Sequence, residues 1–134
     1  MSTDNDELIA SATEYLNPHQ VGDRVFGTVA ATLVTDRGTW FHGVCIDTSS
    51  GTGFCAEHAA IAAMVTAGEY RIARIVAVVR DDDGVLCVYP PCGRCREFIR
   101  QVDPGNVETE VVLGRDRSAR LSALLPETAK LPLD

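Results

Sequence analysis

Residues 55–67, CAEHAAIAAMVTA, decide the fold of this chain. The run follows Gly51-Thr52-Gly53, is rich in alanine with Ile61, Met64 and Val65 set into it, and stops at Gly68. Alanine is the best helix former and glycine the commonest residue just past a helix end, so the spacing predicts a buried helix over 56–67. Side chains this small let a helix approach its neighbour closely, which predicts that this one lies on a sheet.

The sequence on either side supplies that sheet. Upstream, 26–35 and 39–46 are rich in β-formers and are joined by Asp36-Arg37-Gly38, the pattern of a hairpin. Before them, Leu8, Ile9, Ala12, Tyr15 and Leu16 recur at helical spacing until Asn17-Pro18 stops them, giving a first amphipathic helix. Downstream, 73–80 is nearly continuous apolar sequence and 85–89 is a short β-like run, with Asp81-Asp82-Asp83-Gly84 as the turn between them. A helix is predicted over 92–102, a strand over 107–113 and a last helix over 119–125, while 126–134 carries little pattern. The order α-β-β-α-β-β-α-β-α predicts a three-layer α/β/α sandwich around a mixed five-stranded sheet, in one domain over 1–134. A chain of 134 residues with 46% hydrophobic content suits a single core.

Composition narrows the function. A net charge of -7 disfavours a protein that grips phosphate backbones, so nucleic acid is not the expected partner. No run approaches the roughly 20 apolar residues of a membrane helix, and the acidic start differs from the basic, then apolar, pattern of a signal peptide. The expectation is a cytoplasmic protein without a membrane partner. Five cysteines, an odd number and not spaced as pairs, point to metal or catalytic use rather than a disulfide framework.

Chemistry concentrates at two predicted helix starts, Cys55-Ala56-Glu57 and Pro91-Cys92-Gly93-Arg94-Cys95. Unpaired N–H groups and the positive end of the helix dipole favour thiolate there, the form that binds zinc. Cys55, Cys92 and Cys95 as three ligands would leave the fourth tetrahedral position for water, the arrangement of catalytic zinc. His58, Cys87 and Cys45 are the alternatives for a fourth ligand that would close the site. Glu57 is placed to take a proton from water and return it to the substrate. A zinc ion held by cysteines, with a glutamate that moves protons and is not itself a ligand, is the arrangement found in zinc deaminases. Three thiolates exceed the charge of one Zn²⁺, so Arg94 and Arg96 are candidates to donate to sulfur, against the alternative of surface ion pairs.

Through these two motifs the sequence resembles the cytidine deaminase superfamily, specifically the small homotetrameric zinc cytidine deaminases and the related blasticidin S deaminase. The hairpin over 29–43 and Leu124-Leu125-Pro126 extend the resemblance over nearly the whole chain. It implies one Zn²⁺ per subunit on Cys55, Cys92 and Cys95, Glu57 as the proton shuttle, and the Ala56 N–H facing the substrate carbonyl oxygen. The reaction it implies is hydrolytic deamination of cytidine or deoxycytidine to the uridine product with ammonia release, in pyrimidine salvage.

The substrate wall departs from the resemblance. Where cytidine enzymes carry Asn-x-Glu, the aligned residues are Cys45-Ile46-Asp47, and a thiol is a weak substitute for an amide. The phenylalanine of the first strand aligns with Gly27, unless Phe26 takes its place. The aromatic residue near the C-terminus is absent, with Leu131 and Leu133 the nearest apolar residues. Two alternatives within the class follow, a modified aminopyrimidine nucleoside of the blasticidin S kind or a free aminated heterocycle. Outside it stands a non-catalytic, zinc-stabilised binding module. His19, His42 and Cys87 read as structural, Trp40 and Phe41 as packing or base-stacking residues, and Arg115-Asp116-Arg117 as a solvated turn.

Overall fold

The computed structural model describes the backbone of residues 2–133 and the side chains of 5–133. A first helix, α1 (Ser2–Tyr15), leads into a small hairpin, β1 (His19–Val21) with β2 (Arg24–Phe26). The main sheet contains β3 (Val29–Thr35), β4 (Trp40–Val44), β5 (Ile72–Arg80), β6 (Leu86–Val88), β7 (Glu110–Gly114) and β8 (Arg117–Arg120). Between them run α2 (Ala56–Thr66), α3 (Gly93–Val102), a 3₁₀ turn over Pro104–Glu108 and the short α4 (Leu121–Leu124). The strands lie in the order β4-β3-β5-β7-β8, with β6 also paired to β5. The pair β5 and β7 is parallel and the others are antiparallel, so the sheet is mixed.

The period-two alternation of the strands creates the three layers. On one face Ala31, Leu33, Ile75, Ala77 and Val111 meet Ala60, Ile61 and Met64 of α2 and Ile99 of α3. On the other, Ala30, Val76, Val78 and Val112 meet Leu8, Ile9 and Ala12 of α1. The close approach expected of the alanine-rich helix is met at Gly43 in β4. A Cβ there would stand 2.4 Å from the Ala60 nitrogen and 2.6 Å from the Ala59 Cβ, so only glycine lets α2 settle on that strand.

Among the described residues the sheet has six strands, not five, and the difference lies at residues 117–120. The sequence pattern reads these as turn and helix start, yet they pair antiparallel with β7 and leave a helix of only 121–124. The single strand predicted over 26–35 is interrupted at Gly27, where φ is +75° and a Cβ would lie 2.4 Å from the Asn17 carbonyl oxygen. Buried Asn106 ties the far end of α3 to the sheet, accepting from Ile72 N–H and donating to the Tyr70 and Ile99 carbonyls. Among the described residues no helix is long and apolar enough to cross a membrane.

Candidate active site

The starts of α2 and α3 come together at the end of a cavity of about 570 Å³. Cys55 is the N-cap of α2 and Cys92 the N-cap of α3, positions that usually carry an oxygen side chain bonding the helix N–H groups. Neither sulfur makes that bond, which leaves both available to a ligand. Cys95, the third residue of α3, is fully buried, and its Sγ lies 3.6 Å from that of Cys92. Cys55 Sγ is also 3.6 Å from Cys92 Sγ and interacts with the Cys95 thiol. Bonds of about 2.3 Å to a tetrahedral zinc place neighbouring sulfurs about 3.8 Å apart, so the spacing fits the ion.

The acidities of the three thiols lead to the same ion. At Cys92 burial raises the pKa, but the nearby backbone N–H groups at the start of α3 and the neighbouring thiols outweigh it, and the net shift is downward. Burial pushes Cys55 up, and burial with the Glu57 charge pushes Cys95 strongly up. Burial and mutual repulsion thus oppose three thiolates side by side, and a bound cation would relieve both.

Glu57, the second residue of α2, is 5% exposed and lines the cavity. Burial raises its pKa, partly offset by its own backbone N–H and by the Cys95 thiol. A carboxyl held above its ordinary range is better matched to taking up and returning a proton near neutral pH. Ala56 lines the cavity beside it, and as the first residue of α2 its N–H has no partner within the helix. His58 follows, with Nδ1 3.5 Å from Cys95 Sγ. Burial, then the nearby Arg94 charge, lowers its pKa. The donor atoms of Cys55, His58 and Cys95 all lie within 4.8 Å of one another. Of the three alternatives for a fourth ligand, only His58 is at this cluster. Cys87 bonds the Val85 carbonyl, and Cys45 stands on the cavity wall.

That wall is made by Thr28, Cys45, Asp47, Ser49 and Arg24. Cys45 Sγ is held by Thr28 Oγ1 and Val29 N–H, each at 3.4 Å, and lies 3.6 Å from Asp47 Oδ2. Arg24 reaches the Ser49 hydroxyl at 3.2 Å and the Asp47 carbonyl at 3.5 Å.

Several expected placements are corrected. Phe26 does not line the cavity, because the turn at Gly27 leaves it paired with His19 in the outer hairpin. Arg94 lines the cavity but donates to the Gly53 carbonyl, not to sulfur. Arg96 donates to the Pro91 and Leu124 carbonyls, joining the start of α3 to the end of α4. The loops beside the cluster offer backbone carbonyls to both guanidinium groups. The aromatic residues at the cavity are Phe54 and Tyr89 rather than Trp40 or Phe41. Arg24, Thr28 and Ser49 have no motif to mark them in the sequence.

Residues 3–111 match the family model described as the cytidine and deoxycytidylate deaminase zinc-binding region. Among solved structures, the cytidine deaminase from Burkholderia pseudomallei is 30% identical, with TM-score 0.73 over 91% of this chain and 96% of that one. The cytidine deaminase from Mycobacterium tuberculosis is 29% identical, with TM-score 0.74 over 96% and 98% of the two chains. That from Mycobacterium leprae, at 24% identity and TM-score 0.73 over 92% and 98%, shares the fold.

Proposed function

The chain belongs to the cytidine and deoxycytidylate deaminase family and is a zinc-dependent hydrolase of C–N bonds, and from that premise we propose that it deaminates a cytosine-like nucleoside, cytidine or deoxycytidine first. The observation that carries this reading is a buried carboxyl, Glu57, at the cavity end where three thiols converge. Cys55, Cys92 and Cys95 hold the metal. A zinc ion on these donors supplies Lewis acidity that brings the pKa of water toward neutrality.

Glu57 accepts the proton of the attacking water and delivers it to the ring nitrogen beside the amine. It then carries the second water proton to the departing amine, so that a C–N bond is exchanged for C=O and ammonia leaves. The Ala56 N–H, unpaired in its helix, faces the oxygen of the ring carbonyl. Asp47 offers an acceptor to a sugar hydroxyl. Tyr89 and Phe54 supply aromatic surface beside the ring.

The cavity wall favours a second reading within the same reaction. Cys45 is turned to Thr28 and Val29, and presents no amide where cytidine enzymes carry asparagine. A site lacking the partners of a particular hydroxyl loses selectivity for it, which favours a modified aminopyrimidine nucleoside of the blasticidin S kind. Ammonia release by the zinc-loaded protein and its Glu57→Gln variant, with cytidine, deoxycytidine, cytosine and blasticidin S in parallel, tests both readings. Turnover that disappears in the variant supports the mechanism, and the preferred amine identifies the substrate. No release from any of them overturns the reading. Homotetrameric assembly, a cytoplasmic location and a place in pyrimidine salvage belong to the same proposal, the first of them tested by sedimentation.

A further inference from the structure

Arg71, Arg74, Arg100, Arg115 and Arg120 stand in ion pairs with carboxylates, and none of them lines the large cavity. The two arginines that do, Arg24 and Arg94, hydrogen-bond only to neutral groups. In a chain with 19 acidic residues and a net charge of -7, carboxylate partners are plentiful, so guanidinium groups left without one mark a place where negative charge arrives from outside. Arg94 lies between Cys92 and Cys95, at the end where Glu57 and the sulfurs supply such charge. Arg24 lies at the opposite end, on the outer hairpin, and its surroundings differ.

Asp47 is the acidic residue of that wall, yet Arg24 bonds its main-chain carbonyl, at 3.5 Å, and forms no ion pair among the described residues. The Asp47 carboxylate faces the Cys45 thiol instead, with Oδ2 3.6 Å from Sγ. The two hydroxyls that follow Asp47 are set up as donors. Ser49 Oγ accepts from the Arg24 guanidinium at 3.2 Å, and Thr48 Oγ1 accepts from the Thr52 hydroxyl at 2.8 Å. A hydroxyl whose oxygen is already accepting keeps its hydrogen to give, and the incoming bond strengthens it as a donor. Both residues line the cavity. A guanidinium and two such hydroxyls therefore border one stretch of wall, the donor set that suits carboxylate or phosphate oxygens.

We propose that Arg24, with the Ser49 and Thr48 hydroxyls, binds an acidic group at the sugar end of the substrate, so that the preferred amine is an aminopyrimidine nucleoside carrying a carboxylate or phosphate on its sugar. This rests on the deaminase reading, which sets the amine at the zinc end of the cavity and leaves the sugar at this one. The bond from Arg24 to the Asp47 carbonyl is long, and an arriving anion replaces it at little cost. The wall is then consistent as a whole: the amide that would bind a neutral sugar hydroxyl is absent at Cys45, and a cation stands at Arg24.

The test gives the zinc-loaded full chain cytidine, cytidine 5′-carboxylic acid and the 5′- and 3′-monophosphates of cytidine, and takes kcat/KM for each from ammonia release. At least one acidic nucleoside should exceed cytidine by about tenfold or more, through a lower KM, and the carboxylate and phosphate arms show which anion fits. That advantage should shrink as salt is added. Arg24→Gln should remove it, and Arg24→Lys, which keeps the charge, should retain part of it. A loss in Arg24→Gln that falls on cytidine and the acidic nucleosides alike would make Arg24 only a brace for the loop over 47–53 and overturn the proposal. A wild type without preference for any acidic nucleoside also overturns it. Calorimetry on the zinc-loaded Glu57→Gln protein separates binding from the reaction. Tighter binding of an acidic nucleoside, with no turnover of any nucleoside by the wild type, would overturn the deaminase reading and keep the anion site, whereas equal binding of acidic and neutral nucleosides overturns the anion site itself.

Discussion

At one end of the cavity Cys55, Glu57 and Cys92, with Cys95 buried behind them, occupy the first turns of two helices, whereas at the other Arg24, Thr28, Cys45, Asp47 and Ser49 occupy strand ends and a loop. The helix starts are fixed by the core behind them. Ala60, Ile61 and Met64 of α2 and Ile99 of α3 are fully buried, and Gly43 sets how closely α2 meets the sheet. Arg24, Asp47 and Ser49 are exposed and held by a few local hydrogen bonds. Moving a residue of the first group means moving a helix, while changing Arg24, Asp47 or Ser49 alters little beyond the cavity; Cys45 alone of the wall packs into the core. On the proposed reading the reaction is thus tied to the packing of the fold, while the exposed part of the substrate wall is not.

The largest expected effect tests the helix end. Glu57→Gln keeps the shape of the carboxyl and removes its ability to carry a proton. We expect kcat to fall by at least about 10²- to 10⁴-fold with zinc content unchanged, measured by ammonia release and metal analysis on the same sample. Substantial turnover in this variant would remove Glu57 from the chemistry and break the contrast at its stronger side.

Packing is tested next. Gly43→Ala places a methyl group against the Ala60 nitrogen and the Ala59 side chain. Overpacking of this kind costs about 1–3 kcal/mol, and chemical denaturation should show that loss together with weaker zinc binding. A loss of stability with zinc affinity intact would mean that the helix starts are not coupled to the sheet through Gly43.

The two ends also differ in how far the sequence discloses them. Alanine content, the hairpin and the apolar run over 73–80 suffice for the layers, because each carries a periodicity or a composition that burial demands. The short strands are hidden for the opposite reason. His19–Val21 and Arg117–Arg120 are largely exposed, and without a buried face there is no apolar alternation to read. The two cysteine motifs are visible because the spacing of Cys92 and Cys95 is itself a ligand pattern. Cys55 and His58 have the same spacing of three at the start of the other helix, a signal that could place His58 beside the sulfurs. Nothing comparable marks the far wall, where Arg24, Thr28 and Ser49 meet only through the fold. Nor does the order of residues reveal which carbonyl an arginine will find, and the sulfurs expected as acceptors for Arg94 and Arg96 give way to loop carbonyls for that reason.

A smaller effect is expected at the wall. Cys45→Asn restores an amide beside Asp47, and kcat/KM for cytidine should rise about tenfold, equivalent to about 1.4 kcal/mol in the transition state. Zinc affinity should stay the same. The useful measurement is the ratio of cytidine to blasticidin S turnover, since a change in both alike would indicate a general effect on the cavity rather than a change of selectivity. A variant that loses zinc would show that wall and helix end are not separable.

The smallest effect concerns a histidine on the opposite face of the sheet. His42 stacks on Tyr15 of α1, with centroids 4.2 Å apart, and its Nδ1 lies 2.9 Å from Thr32 Oγ1. Burial lowers its pKa, and the Glu14 charge offsets only part of that shift. The unfolded chain therefore binds a proton at His42 more readily than the folded one. Its contribution to stability is present above the unfolded value of about 6.5 and is lost as the pH falls through that value toward the lower folded pKa. Denaturation at pH 8 and pH 5.5 should show a smaller acid-side loss for His42→Gln than for the wild type. Because His42 stands behind the sheet from the sulfurs, the difference between the two proteins should be the same with zinc bound and with zinc removed. His58, the other imidazole whose pKa burial lowers, touches Cys95 and should lack that independence. If the His42 difference changed on metal removal, the two faces of the sheet would be coupled, and the packing that fixes the helix starts would have to include α1 as well.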